Sequence, residues 1–233
     1  NIWFASRYAG LTKYDIRSST FTNYDTLNSD LSSNHLTDIQ LDHSGKIWVA
    51  TKDSQLNIYD PITDSFTQLQ DNQFNYSASP IKTLFVDNTN MLWAGSEGMG
   101  LYVIDTVTHS ILRNFSIDKN NANSICDNNI NDIIQDSKHR IWIATSNGLC
   151  MYNKDASNFV RYRKNLSNVK SLINNRATSL FEDDGGVIWI GTQDELNRFD
   201  GYEFKRYRLD PQQPGSISSD YINCLFEDNQ GVL

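Results

Sequence analysis

The chain has 233 residues and sets 20 Lys and Arg against 28 Asp and Glu, a formal net charge of -8 at pH 7. That sign excludes a general nucleic-acid binder, which needs a basic face to displace counterions from phosphates. With 39% hydrophobic and 12% aromatic residues against 21% charged, the chain can bury a large core and is not a disordered polymer.

Five tryptophans, Trp3, Trp48, Trp93, Trp142 and Trp189, divide the chain at intervals of 45, 45, 49 and 47 residues, a period that marks a repeat architecture. In chain order, residues 1–3 open on the strand that carries Trp3 (strand B of its copy), followed by GLTKYD from Gly10 (strand C) and TFTNY (strand D). The second copy begins with strand A, LTDIQLD from Leu36, and turns through DHSGKIW (Asp42–Trp48) into strand B. QLNIYD from Gln55, the turn DPITD (Asp60–Asp64) and SFTQL complete it. The third copy reads IKTLFVD from Ile81, DNTNMLW (Asp87–Trp93), GLYVID from Gly100 and SILRNF. The fourth reads INDIIQD from Ile130, DSKHRIW (Asp136–Trp142), GLCMYN from Gly148 and NFVRYR. The fifth reads ATSLFED from Ala177, DDGGVIW (Asp183–Trp189), ELNRFD from Glu195 and EFKRYR. A last strand A is expected over 222–228, INCLFED.

Asp followed by Ser, Asn or Gly is turn chemistry, because the carboxylate bonds its own backbone two residues on and Gly tolerates positive φ. Asn90 and His139 replace that Gly in two copies, and His139 weakens the pattern. Four short strands with tight turns form one antiparallel meander. A meander apolar on both faces must stack on its neighbours, which predicts an all-β fold, a β-propeller of four-stranded blades. The domain is 1–233, with five blade-equivalents centred on the tryptophans. A small residue two places beyond each tryptophan, Ala5, Ala50, Gly95, Ala144 or Gly191, leaves room for a neighbour to close on the indole. All five tryptophans are equivalent and are therefore expected as inter-blade core rather than as a ligand platform. Because both ends fall inside a hairpin, a piece of a larger propeller is preferred over a closed five-bladed ring.

The motif D-x-x-G-x-I/L-W-I/V-A/G-T followed by G-L-x-x-Y/F-D and F-x-x-Y resembles the two-component regulator propeller repeat over essentially the whole chain. The segments SDLSSNHL, NSICDNNI, KSLINNRA and GSISSDYI fit the same family, whereas NYSASPIK departs from it and the C-terminal unit lacks its tryptophan. The resemblance implies part of a seven-bladed propeller in the periplasmic sensor region of a Bacteroidetes hybrid two-component system. An inner-membrane span, a histidine kinase and a response regulator follow in that family. It further implies oligosaccharide ligands from polysaccharide breakdown, control of polysaccharide-utilisation genes, contacts with the remaining blades and adjacent sensor domains of the same protein, and a homodimer through the full-length receptor.

Two rivals to the sensor are a propeller-fold lyase or glycosidase and a plain interaction scaffold. An enzyme needs a convergent base or paired carboxylates. His43 and His139 fall in A–B turns, His109 in a C–D turn and His35 before strand A, so no histidine cluster is expected. The Asp six places before each tryptophan is out of register with the sialidase-type Asp-box and reads as a turn cap. No catalytic residue, metal site or cofactor is expected. Cys126, Cys150 and Cys224 lack C-x-x-C spacing and predict neither zinc nor a disulfide framework. Lys205, Arg206 and Arg208 alternate with Phe204 and Tyr207 as the outer face of a strand.

In a meander the B–C and D–A connections share one end of the sheet, and the five copies differ most there. The D–A loops include LNSDLSSN, NQFNYSASP and LDPQQPGSISSD, and the B–C loops SRYAG, GSEGMG and TQDEL. Sugar recognition uses aromatic faces with planar hydrogen-bonding groups. The ligand rim is therefore expected at Arg7, Tyr8, Glu97, Arg176 and Tyr221.

Overall fold

The structure, a computed structural model, describes residues 1–69, 79–228 and 230–232. Among these residues there is no helix. The first sheet has three strands, β1 (Ile2–Ser6), β2 (Gly10–Asp15) and β3 (Thr20–Tyr24), in that order. Four-stranded antiparallel sheets follow. β4 (Leu36–Leu41), β5 (Ile47–Thr51), β6 (Leu56–Asp60) and β7 (Ser65–Gln68) form the second, and β8 (Ile81–Val86), β9 (Met91–Ser96), β10 (Leu101–Asp105) and β11 (Ile111–Phe115) the third. β12 (Ile130–Gln135), β13 (Ile141–Thr145), β14 (Gly148–Asn153) and β15 (Asn158–Tyr162) form the fourth, and β16 (Ala177–Glu182), β17 (Ile188–Thr192), β18 (Glu195–Phe199) and β19 (Phe204–Tyr207) the fifth. Strand A begins where the repeat placed it in all four sheets that have one. β5 and β13 are buried at every residue, as expected of strands covered on both faces.

The A–B turn shows what the repeated Asp does. Asp42 Oδ1 accepts the backbone N–H groups of Ser44 (2.8 Å) and Lys46 (3.0 Å), while its Oδ2 accepts the indole N–H of Trp48 at 3.0 Å. Asp87 holds Trp93 at 2.8 Å, Asp136 holds Trp142 at 2.8 Å, and Asp183 holds Trp189 at 2.7 Å. The cap was read from the sequence; the indole acceptor was not. The left-handed position in the turn is filled by Gly45 (φ 88°), Asn90 (63°), His139 (61°) and Gly186 (75°). His139 thus takes a conformation that Gly adopts without steric cost.

The chain forms two compact units, Asn1–Asn114 and Phe115–Leu233. In the first, Trp48 packs into one core with Ile81, Leu84, Leu92, Tyr102 and Ile104 of the third sheet. A second core joins Leu11 and Tyr24 to Val49, Tyr59 and Phe66, with the Trp3 ring 5.0 Å from that of Tyr59. At its edge, the hydroxyls of Tyr24 (2.7 Å) and Tyr59 (2.6 Å) both donate to Asp64 Oδ1. These bonds, Tyr59 first and then Tyr24, hold the Asp64 carboxyl below its ordinary range.

In the second unit Trp142 lies between its own sheet and Ala177, Leu180, Ile190 and Phe199 of the next. Each tryptophan described this way is therefore inter-sheet core. At Gly191 an added Cβ would stand 2.3 Å from Ser179 Oγ and 2.8 Å from Ile222 Cγ2, so this position must be small.

Every strand A carries a bulge at its second residue, which re-aims a side chain along the sheet normal to the ladder. Thr37 Oγ1 donates to the Ile81 carbonyl (2.6 Å), Asn131 Nδ2 to Ala177 (2.6 Å) and Thr178 Oγ1 to Ile222 (2.5 Å). Asp38 and Asp132 add bonds from the N–H of Leu84 and Leu180, both 2.7 Å. The expected last strand over 222–228 is not formed. Thr178 still meets Ile222, and Asp184 N–H still meets Glu227, at 3.0 Å, but among the described residues 222–228 has no ladder with a strand B of its own.

A second correction concerns the cysteines. Cys126, in the loop before β12, and Cys150, in β14, form a disulfide, and both are fully buried. The spacing gave no sign of it, because the two meet only through the meander. Cys224 is free and exposed.

Three outcomes follow from these contacts. In a urea-denaturation double-mutant cycle, Asp42→Asn turns an amide N–H toward the Trp48 indole, and its coupling to Trp48→Phe should be about 1–2 kcal/mol. Closing a loop of sequence separation 24 is worth about 3 kcal/mol in the chain-entropy account; Cys126→Ser with Cys150→Ser should lower Tm, and intact-mass measurement of the wild-type chain should show two hydrogen atoms gained on reduction. Because the folded Asp64 carboxyl is depressed, its stabilisation is present above the unfolded value of about 3.9 and lost as pH falls through the folded value. Acid melting curves of Asp64→Asn should accordingly fall less steeply below about pH 4.

Candidate functional site

Each four-stranded sheet brings two chain positions together at one end: the residue four places beyond the tryptophan and the residue just before strand A. The N–H of the first donates to the carbonyl of the second. The pairs are Lys52 to His35 (2.8 Å), Glu97 to Pro80 (2.9 Å), Ser146 to Asn129 (3.1 Å) and Gln193 to Arg176 (3.1 Å). This bond shows that the B–C and D–A connections share an end of the sheet. Arg7 and Glu97 occupy the first position of this frame, Arg176 and Tyr221 the second, and Tyr8 follows the first. The expected rim residues are thus repeats of two places in a common backbone.

In the first unit this frame surrounds a cleft of about 630 Å³. Arg7 and Tyr8 reach it from the β1–β2 turn, His35 and Thr37 from the start of β4, Lys52 from the end of β5 and Lys82 from the bulge of β8, with Ala5 and Leu36 as apolar floor. Tyr8 is 67% exposed. Its ring meets His35 edge-on at 5.1 Å, and the Arg7 guanidinium lies 5.5 Å from its centroid. Among the described residues that line the cleft there is no carboxylate. Asp53, adjacent to Lys52, instead accepts a hydrogen bond from Ser33 Oγ. Sequence reasoning found Arg7 and Tyr8 but missed His35, Lys52 and Lys82. Lys52 was legible, since it stands in the same repeat position as Arg7.

The other expected residues lie elsewhere. Glu97 is exposed in the β9–β10 turn, where its carbonyl accepts Ser79 Oγ at 2.7 Å. Arg176 and Tyr221 belong to the second unit. Arg176 donates its N–H to Asn174 Oδ1 (2.7 Å) and Tyr221 its N–H to Ser219 Oγ (3.2 Å), with the Tyr221 side chain 45% exposed. Clefts of about 250 and 340 Å³ in that unit are lined by other residues.

The D–A loops are more regular than their sequences suggest. The N–H groups of Asp118, Asn165 and Asp210 donate to Ser124, Ser171 and Ser216 Oγ, while those of Ile117, Lys164 and Leu209 donate to Asn128, Asn175 and Asp220 Oδ1. These loops are structural repeats held by Asx and Ser turns. Of the loop expected at 72–80, residues 72–78 lie outside the described residues. Arg206 is engaged in the same framework, donating Nη2 to the Ser171 carbonyl at 2.9 Å.

His109 takes a left-handed backbone (φ 57°) and packs edge-on to Trp48 at 5.5 Å; burial pushes its pKa down. Glu195 has φ 109° where the first, third and fourth copies place Gly, and burial, reinforced by Asp220, raises its carboxyl pKa. Its acidic neighbours are tied up, however: Asp194 Oδ2 accepts Asn174 Nδ2 at 2.5 Å and Asp220 Oδ1 accepts Leu209 N–H at 2.6 Å. Among the described residues no three His, Cys, Asp or Glu side chains are gathered to hold a metal.

Residues 124–147 and 171–194 match the two component regulator propeller family. Each match runs from the D–A loop through strand A and its turn to the end of strand B. A stretch of 62 residues is 40% identical to Histidine kinase P4 of Formosa agariphila, covering 27% of this chain and 4% of that protein. The structure described as the extracellular domain of the hybrid two component system BT3049 of B. thetaiotaomicron superposes with a TM-score of 0.76 at 21% identity, covering 98% of this chain and 29% of that one. Virginiamycin B lyase of Staphylococcus aureus gives a TM-score of 0.66 at 8% identity, covering 90% and 67%. At these identities the two structures share the fold, and the fold alone does not separate a sensor from a lyase.

Proposed function

We propose that the chain, whose residues 124–147 and 171–194 match the two component regulator propeller family, senses an oligosaccharide outside the cytoplasm on behalf of a hybrid two-component histidine kinase. The observation that carries the reading is the cleft of the first unit. There an exposed tyrosine ring stands beside a guanidinium and an imidazole, the combination of apolar face and planar donors that a sugar ring requires. The buried Cys126–Cys150 disulfide fits an oxidising compartment, which supports a periplasmic location. Occupancy would bias the position of adjacent sensor domains by rigid-body movement, and through the kinase the expression of polysaccharide-utilisation genes.

Isothermal titration of the purified chain against a panel of plant and host oligosaccharides tests this. A ligand should bind wild type and raise its Tm, and Tyr8→Ala should weaken binding about tenfold or more, the equivalent of losing one aromatic contact. Glu97→Ala, Arg176→Ala and Tyr221→Ala should leave affinity unchanged. Equal binding by wild type and Tyr8→Ala would remove the cleft from the argument.

A further inference from the structure

We infer that the cleft beside Tyr8 selects an anionic sugar, an oligosaccharide carrying a carboxylate or sulfate; the inference rests on the sugar-sensing reading above. It comes from comparing one repeat position in successive copies. Four places beyond the tryptophan stand Arg7, Lys52, Glu97, Ser146 and Gln193. The first two copies place a cation there and the third reverses the sign, although the backbone bond made at this position is the same in copies two to five. Folding therefore does not specify the charge.

Arg7 and Lys52 converge on the same cleft, together with Lys82 and His35. Among the described residues neither Arg7 nor Lys52 has a carboxylate partner. The chain as a whole carries -8, so cations gathered around a space whose described lining holds no acid run against its average composition. Such a cluster raises the local potential for anions, and a concave cleft focuses it. A guanidinium matches the two oxygens of a carboxylate or sulfate, whereas an ammonium acts as a point charge with three donors. His35 on the wall, with Tyr8 beside it, suits the hydroxyls and the apolar face of a pyranose ring.

The test is titration of the full chain with three saccharides of matched length: a neutral galacto-oligosaccharide, an oligogalacturonate and a sulfated chondroitin fragment. At least one acidic saccharide should bind tenfold or more tightly than the neutral one, and the acidic arm that wins identifies carboxylate or sulfate as the recognised group. That preference should shrink as NaCl rises from about 50 to 500 mM, since screening shortens the Debye length. Lys52→Glu, which writes the third copy's residue into the second, should abolish the preference while leaving Tm unchanged. Arg7→Gln, which removes charge without adding any, should reduce it by about tenfold. Equal or tighter binding of the neutral saccharide, or an unchanged preference in Lys52→Glu, overturns the inference and leaves the sugar-sensing reading standing. Failure of all three saccharides to bind overturns both.

Discussion

The structure depends on one carboxylate that does two jobs. In each A–B turn an Asp caps the turn with Oδ1 and holds an indole N–H with Oδ2, and Asp42, Asp87 and Asp136 do so at no more than 6% exposure. A buried carboxylate is costly unless its lone pairs are met, and here backbone and indole donors meet them. The arrangement fixes the Asp-to-tryptophan interval at six residues, because the turn must close before strand B can bring the indole back to the cap. It also orients the tryptophan that fills the space between sheets. Turn geometry, hairpin register and inter-sheet packing therefore stand or fall on the same side chain.

This coupling explains how much was legible in the sequence. Strand starts at Leu36, Ile81, Ile130 and Ala177 were readable because local turn chemistry and apolar runs repeat with the tryptophan period. The acceptor for the indole was not, since Asp-to-tryptophan spacing alone is compatible with a simple cap. No strand forms over 222–228, since among the described residues it has no strand B to pair with. At the site, Arg7 and Tyr8 were legible as departures from the repeat. His35 and Lys82 were not, because they enter the cleft from two different sheets.

The disulfide makes a related point about repeats. The third residue of strand C reaches the D–A loop in several copies. Asn57 accepts the Ser32 N–H at 3.0 Å and donates to Ser32 Oγ at 2.8 Å, and Asn197 accepts the Ile173 N–H at 3.1 Å. Cys150 occupies the same place and bonds covalently to Cys126. One latch is thus made by two hydrogen bonds, by one, or by a disulfide. In the fifth copy Ile173 offers no polar side chain, and Asn197 Nδ2 is left buried without a partner, so the weakest latch also carries a desolvation cost.

The same logic separates scaffold from site. Where a repeated bond involves a side chain, as at Asp42 or Thr37, the residue is constrained by folding and says little about ligand. Where the repeated bond is backbone to backbone, as from Lys52 to His35, any side chain satisfies the fold. Variation at such positions is free to follow ligand chemistry, and there the chain sets Arg, Lys and Glu in three successive copies. The cleft gathers the two cations and excludes the acid, so its charge is a property of the site and not of the blades that hold it.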